Sequence, residues 1–197
     1  MDVSLLLIIL LVGAIATFLS GDKWASKTAL VFSLAALGVS LYLLSLYNAG
    51  QNINFIARWI SVPNISLSFK ADGLALALVL LTTALTPLIL FSSFGNSYDK
   101  SRNFYGLVML MVFAMAGTFL SDDGFLYYIF WEIALIPIYF IALIWGNGNP
   151  QSRRKAVVKF FIYTFAGSLF MLVSFIYLYL RAGSFLWADL TSVELTA

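Results

Sequence analysis

GFLYYIFWEIALIPIYFIALIW, residues 124–145, decides how this chain folds. The run carries one charged side chain, Glu132, near its middle, and one proline, Pro137, five residues later. At about 1.5 Å of helical rise per residue, Glu132 lies roughly 12 Å in from Gly124, and Trp145 lies roughly 20 Å further on. That reach matches a hydrocarbon core about 30 Å thick. A carboxyl at such depth costs about 2.5–3.5 kcal/mol on insertion scales, so it should face protein or a polar file and have a use.

Composition extends this reading to the whole chain. Of its 197 residues, 62% are hydrophobic and 10% charged, and the mean hydropathy is +0.96. These values fit a polytopic membrane protein and fall outside the usual range of a soluble domain. Cysteine and histidine are absent. Their absence removes disulfides, thiolate chemistry, iron–sulfur ligation and nearly every transition-metal or haem site, so no redox cofactor is expected on this chain. It can serve a redox assembly only as a partner. The net charge of +2 comes without a long basic tract or nucleic-acid motif, so the expected surroundings are the lipid bilayer and not nucleic acid.

Hydropathy predicts an all-α polytopic transmembrane helix bundle of six spans, at residues 3–19, about 28–47, about 73–94, about 104–120, 124–145 and about 156–180. The first reads as a retained span, because it has neither a basic leader nor a small-residue cleavage site. Residues 48–70 change character. Pro63 and Asn64 break any helix there, and Ile65, Leu67 and Phe69 alternate with Ser66, Ser68 and Lys70 at period two. This predicts a short extramembrane strand region at about 50–70; residues 53–60 fit either a partner strand or a surface helix anchored by Trp59. Ser121, Asp122 and Asp123 make a turn so short that spans four and five must be antiparallel neighbours. GNGNPQSRRK, residues 146–155, reads as a polar loop, and residues 181–197 as a short tail.

Lysine and arginine placement orients the bundle. With the N-terminus outside, the inner loops hold Lys23, Lys27, Lys100, Arg102, Arg153, Arg154 and Lys155, joined by Lys159, against Arg58, Lys70 and Arg181 outside. Both termini are therefore expected on the outer, periplasmic side of the cell inner membrane.

Within the spans, spacing gathers the polar groups. Tyr128, Glu132, Ile136 and Tyr139 share one helical face, so two phenols flank the carboxyl. A phenol both donates and accepts, which allows this face either to carry a proton through water or to hold the acid in place. Pro137 lacks the N–H that would bond the carbonyl of Ile133, leaving an extra acceptor beside Glu132. Lys159 enters the sixth span with Tyr163 and Gly167 on its face; it can snorkel to the inner interface or join a proton path. Asp72 either caps the third span or lines an ion path. Pro87 should kink that span and free the carbonyl of Thr83. Short hydroxyls along spans three and six either line a polar file or bond their own backbone, and Met109, Met111 and Met115 read as packing filler.

At this point a resemblance becomes specific. FLSDDGFLYYIFWEIALIPIYFIALIWG (119–146), RRKAVVKFFIYTFAGSLFML (153–172) and ADGLALALVLLTTALTPL (71–88) resemble the proton-pumping membrane subunit called chain M, or chain 4, of NADH-quinone oxidoreductase, respiratory complex I. The resemblance implies a partial antiporter-like fold. Residues 1–103 would form an N-terminal three-helix transmembrane region with the external loop 48–70. Residues 104–180 would form the first three helices of a truncated proton-translocation repeat, and 181–197 a tail. It further implies that Glu132 of the W-E motif modulates or receives protons beside a lysine on a seventh helix. Asp72 of the D-G-L motif becomes structural, and Lys159 matches the K-F-F-x-Y-T pattern. NADH, FMN, iron–sulfur clusters and quinone are expected on partner subunits of the complex I membrane arm and its extension. The departure is length: the seventh-helix lysine, the broken helix and a second repeat have no counterpart here, so the chain is expected to be an N-terminal fragment. Alternative readings are a subunit of a multisubunit sodium/proton antiporter and a structural membrane scaffold without its own proton path.

Overall fold

A computed structural model describes residues 3–60, 65–95 and 98–193. Six apolar helices run in sequence: α1 (Ser4–Leu19), α2 (Ala25–Asn48), α3 (Gly73–Ser92), α4 (Ser101–Leu120), α5 (Gly124–Trp145) and α6 (Pro150–Ala182). A short α7 (Trp187–Thr191) follows, and strands β1 (Asn54–Ile60) and β2 (Ile65–Lys70) stand between α2 and α3. The architecture is a multi-pass membrane helix bundle with a small extramembrane hairpin. Five helices, α2 to α6, are long and apolar enough to cross a membrane. Of the six spans expected, these five reach that length; α1 is also apolar but has 16 residues, about 24 Å of helix against a hydrocarbon core of about 30 Å.

α4 is the centre of the bundle. Half of its apolar window is buried, against 11% for α6 at the periphery. Ala114, Ala116 and Gly117 on α4 are small enough to let neighbouring helices approach closely. Leu6, Leu10 and Ala14 from α1, Ala29 and Ala36 from α2, and Leu76 and Val79 from α3 close around Met109, Val112 and Leu120. Gly117 is the tightest contact, because a Cβ there would stand 2.1 Å from the ring of Phe130 on α5.

The strand region forms as a hairpin. β1 and β2 pair antiparallel with Phe55 opposite Phe69 and Ala57 opposite Leu67. Residues 54–60 are therefore strand, and the surface-helix alternative is excluded. Pro63 and Asn64, read as the break, lie outside the described residues. Pro87 and Pro137 sit inside α3 and α5, which continue through them.

The polar stretch 150–155 is helical, contrary to its reading as loop. Asn149 caps α6 by accepting from Gln151 N–H at 2.9 Å, and Pro150 occupies the first turn, where its missing N–H costs nothing. α6 thus has 33 residues, about 50 Å, and carries Arg153, Arg154 and Lys155 beyond the hydrocarbon. It ends at Gly183, whose φ of 73° is the left-handed conformation that glycine adopts without strain.

Candidate functional site

Glu132 lies half-buried on α5, and its Oε1 accepts a hydrogen bond from Ser168 Oγ on α6. Ser168 is 4% exposed. The same hydroxyl also stands 2.8 Å from the carbonyl of Phe165. One hydroxyl proton therefore faces two acceptors. An ionised Glu132 can take that proton; a protonated Glu132 can donate to Oγ while Ser168 turns its own proton to Phe165. Both protonation states of the carboxyl find a partner. Tyr128, one turn before Glu132, lies in interaction range of both Glu132 and Ser168. A cavity of about 380 Å³ opens here, lined by Tyr128, Glu132, Ile133 and Ile136 with Phe161 and Phe165 from α6.

Other residues singled out in the sequence fall elsewhere. Tyr139 packs edge-on against Phe161 at 5.1 Å between ring centres, two turns beyond Glu132. Pro137 is buried on α5. Lys159 stands nine residues before Ser168, about 14 Å along the helix, and lines a cleft near the N-terminal end of α6 with Arg154 and Lys155. It is nine residues into α6, yet remains exposed at the basic end of the helix. Tyr163 is 74% exposed on the outside of α6. Asp72 caps α3, its Oδ1 accepting from Ala75 N–H at 2.8 Å.

The hydroxyls mostly bond their own helices. Thr82, Thr83 and Thr86 donate to Leu78, Val79 and Thr82 carbonyls at 2.7–2.9 Å, and Thr164 and Ser174 behave likewise. Two hydroxyls also cross to a neighbouring helix: Ser168 reaches Glu132 on α5, and Ser93, at the end of α3, pairs with the Tyr105 hydroxyl on α4 at 3.0 Å. Met109 is fully buried in the core. Among the described residues no three His, Cys, Asp or Glu side chains converge on a possible metal position.

The N-terminal end of α5 is held by a clasp that the sequence did not announce. Asp122 N–H bonds the Ser68 carbonyl of β2 at 2.9 Å, and Gly124 N–H bonds the Phe185 carbonyl beyond α6 at 2.8 Å. Trp187 returns two bonds, from N–H to Asp122 at 3.2 Å and from Nε1 to Ser121 at 3.0 Å. Asp123 caps α5, its Oδ1 accepting from Phe125 and Leu126 at 2.9 and 3.0 Å, while Oδ2 is buried without a partner among the described residues. Burial pushes the Asp123 carboxyl above its ordinary value, although the N–H donors pull it down. Asp122 is raised by burial too, against the pull of Lys70 and Ser68, with Asp72 adding to the rise.

The transmembrane family described as NADH:quinone oxidoreductase/Mrp antiporter matches residues 121–196. F(420)H(2) dehydrogenase subunit M of Methanosarcina mazei is 33% identical over 91% of this chain and 36% of its own length. NADH-quinone oxidoreductase subunit M of Rickettsia prowazekii is 33% identical over 87% of this chain and 34% of its own. The chain thus spans about a third of the length of these relatives. Among solved structures, respiratory complex I from Thermus thermophilus with bound NADH aligns over 98% of this chain and 40% of its own, at TM-score 0.84 and 24% identity. The Mrp complex from Dietzia sp. aligns over 97% of this chain and 21% of its own, at TM-score 0.83 and 19% identity. At these identities the structures speak for the fold.

Proposed function

Because the chain matches the complex I and Mrp antiporter membrane subunits at family level, we propose that it acts within the membrane arm of a proton-translocating NADH:quinone oxidoreductase. Glu132 is the proton-handling group. The observation that carries this reading is the Ser168 hydroxyl, which faces both Glu132 and the Phe165 carbonyl. A proton arriving at the carboxyl is accommodated by rotation of one hydroxyl, with no charge left unpaired in an apolar bundle. Tyr128 stands beside them as a second group able to donate and accept, and the adjoining cavity has room for water to reach the carboxyl.

In this reading residues 104–180 supply the first three helices of a proton-translocation repeat, residues 1–103 form the N-terminal region beside them, and Phe185 and Trp187 in the tail close the outer clasp. The hairpin faces the periplasmic side of the inner membrane, and the basic ends of α4 and α6 face inward. NADH, FMN, iron–sulfur clusters and quinone reside on partner subunits. The relatives' names support that division, since they carry F(420)H(2) in one case and NADH in another while sharing this membrane segment. The subunit would then sense electron transfer through its neighbours and not through a donor of its own. Lys159 sits at the inner mouth, where it raises the local concentration of anions or passes protons from the surface.

The test is Glu132→Gln in the assembled complex, reading NADH oxidation and vesicle acidification together. Acidification should fall severalfold with assembly intact. Unchanged pumping would return the chain to the scaffold reading. A sodium/proton antiporter subunit is the second reading, supported by the likeness to the Mrp complex fold. It predicts sodium-driven collapse of a pH gradient in vesicles without NADH.

A further inference from the structure

Two cavities away from Glu132 share their walls. The first, about 390 Å³, opens at the outer clasp between Lys70, Asp72 and Asp122, with Tyr127, Trp131 and Trp187 around it. The second, about 520 Å³, is an apolar groove between α3 and α5 with α4 as its floor, lined by Leu81, Leu85 and Ile89, by Val112 and Met115, and by Ile138. Leu78 and Phe119 line both, so a charged, aromatic mouth leads directly into an apolar channel.

Length and girth limit what can lie there. From Leu78 to Ile89 the groove follows α3 for about 16 Å, half of a hydrocarbon core about 30 Å thick, or one leaflet. Spread over that length, the volume of about 520 Å³ gives a cross-section of roughly 30 Å². That admits one extended hydrocarbon chain along a rim where Leu81, Leu85 and Ile89 are exposed. The mouth has one ammonium and two carboxylates, which disfavours a head of net negative charge and suits one that joins a phosphate to an amine. Three aromatic rings at this level match the belt that side chains form at headgroup depth and offer faces to a cation.

We propose that this continuous cleft seats a zwitterionic glycerophospholipid of the outer leaflet, with its phosphate toward Lys70, its amine toward Asp72 and Asp122, and one acyl chain lying along α3. Lipid held there joins the hairpin, α3 and the α4–α5 turn across their shared outer edge.

The test uses the full chain, purified in detergent, stripped of lipid and offered phosphatidylethanolamine or phosphatidylglycerol with identical tails. Native mass spectrometry should find a single phosphatidylethanolamine retained at least fivefold more than phosphatidylglycerol, and phosphatidylcholine retained alongside it also supports the proposal. Leu85→Trp fills the groove from an exposed position, and Asp72→Asn with Asp122→Asn removes both mouth carboxylates, leaving the Lys70 ammonium, while asparagine keeps the α3 cap. Each change should cut retention at least fivefold, with helical content unchanged. Equal uptake of the two lipids, preference for phosphatidylglycerol, insensitivity to both variants, or no retained lipid would each overturn it.

Discussion

Replacing Gly117 by alanine tests the packing that fixes α5, and with it Glu132, against the centre of the bundle. The new methyl would lie 2.1, 2.2 and 2.6 Å from three ring atoms of Phe130. Ordinary contact begins near 3.4 Å, so the ring would have to withdraw by about 1.3 Å. It has little freedom to do so. Phe130 is 7% exposed and lies edge-on to Phe69 at 5.8 Å and to Phe113 at 5.4 Å. Overpacking of this kind costs about 1–3 kcal/mol, and losing one edge contact adds about 0.5–1.5 kcal/mol. Exchanging glycine for alanine inside a helix returns about 1 kcal/mol. The expected result is a net loss of about 2 kcal/mol, read by reversible unfolding in mixed micelles with helical circular dichroism as the signal. Gly38→Ala and Gly167→Ala are the comparators, because a Cβ at either position meets nothing within 4 Å; both should be neutral or gain up to about 1 kcal/mol. Pairing Gly117→Ala with Phe130→Ala should recover at least about 1 kcal/mol as a coupling energy. If Gly117→Ala behaves like the open-space variants, or the cycle shows no coupling, the ring is not pinned and the reasoning fails.

Three further outcomes follow from the site and its clasp. Burial raises Asp123 and Asp122 above the ordinary 3.8, so the folded chain holds these protons more tightly than the unfolded one; stability should be highest in acid and fall as pH climbs from about 3.8 through the raised values. Asp123→Asn keeps an acceptor for the α5 cap and should flatten part of that slope in melts taken across pH 4 to 8, Asp122 supplying the remainder. Ser168→Ala removes the hydroxyl that serves both protonation states of Glu132, and acidification per NADH oxidised should drop at least twofold, whereas Tyr163→Phe, altering an exposed ring, should leave it unchanged. Trp187→Ala deletes the Nε1 bond to Ser121 and should raise proteolysis between residues 183 and 193 severalfold without loss of helical content.

Elements bounded by local chemistry were legible in the sequence. The limits of α5 were readable because a polar D-D-G step precedes an apolar run interrupted by one charge, Glu132, and Gly146 follows it. Asn149 and Pro150 carry an equally local start signal for α6, but the charges of Arg153, Arg154 and Lys155 suggested a loop; a helix that continues past the hydrocarbon is free to carry such charges in water. Strand β2 showed its period, whereas β1 depended on pairing with β2, which no window of residues 53–60 contains. The Glu132 site divides the same way. Depth made the carboxyl conspicuous, but its partner is set by the register of α6 on α5, and Ser168 looks in sequence like any hydroxyl bonding its own backbone. Lys159 and Tyr163 shared a face in one dimension and a bundle exterior in three. The bonds from Asp122 and Gly124 to Ser68 and Phe185 join distant segments and have no local signature.

That clasp also imposes an order on biosynthesis. Trp187 lies 66 residues after the Ser121 carbonyl it bonds, and chains are made at about 5–20 residues per second, so the partner arrives roughly 3 to 13 s after the turn it secures. During that interval α5 is itself made, and its N-terminal end is tied only to the hairpin until Gly124 N–H meets the Phe185 carbonyl. The clasp closes only when α6 delivers its far end, so a stalled or misdirected α6 leaves the turn before α5 open for quality control to recognise.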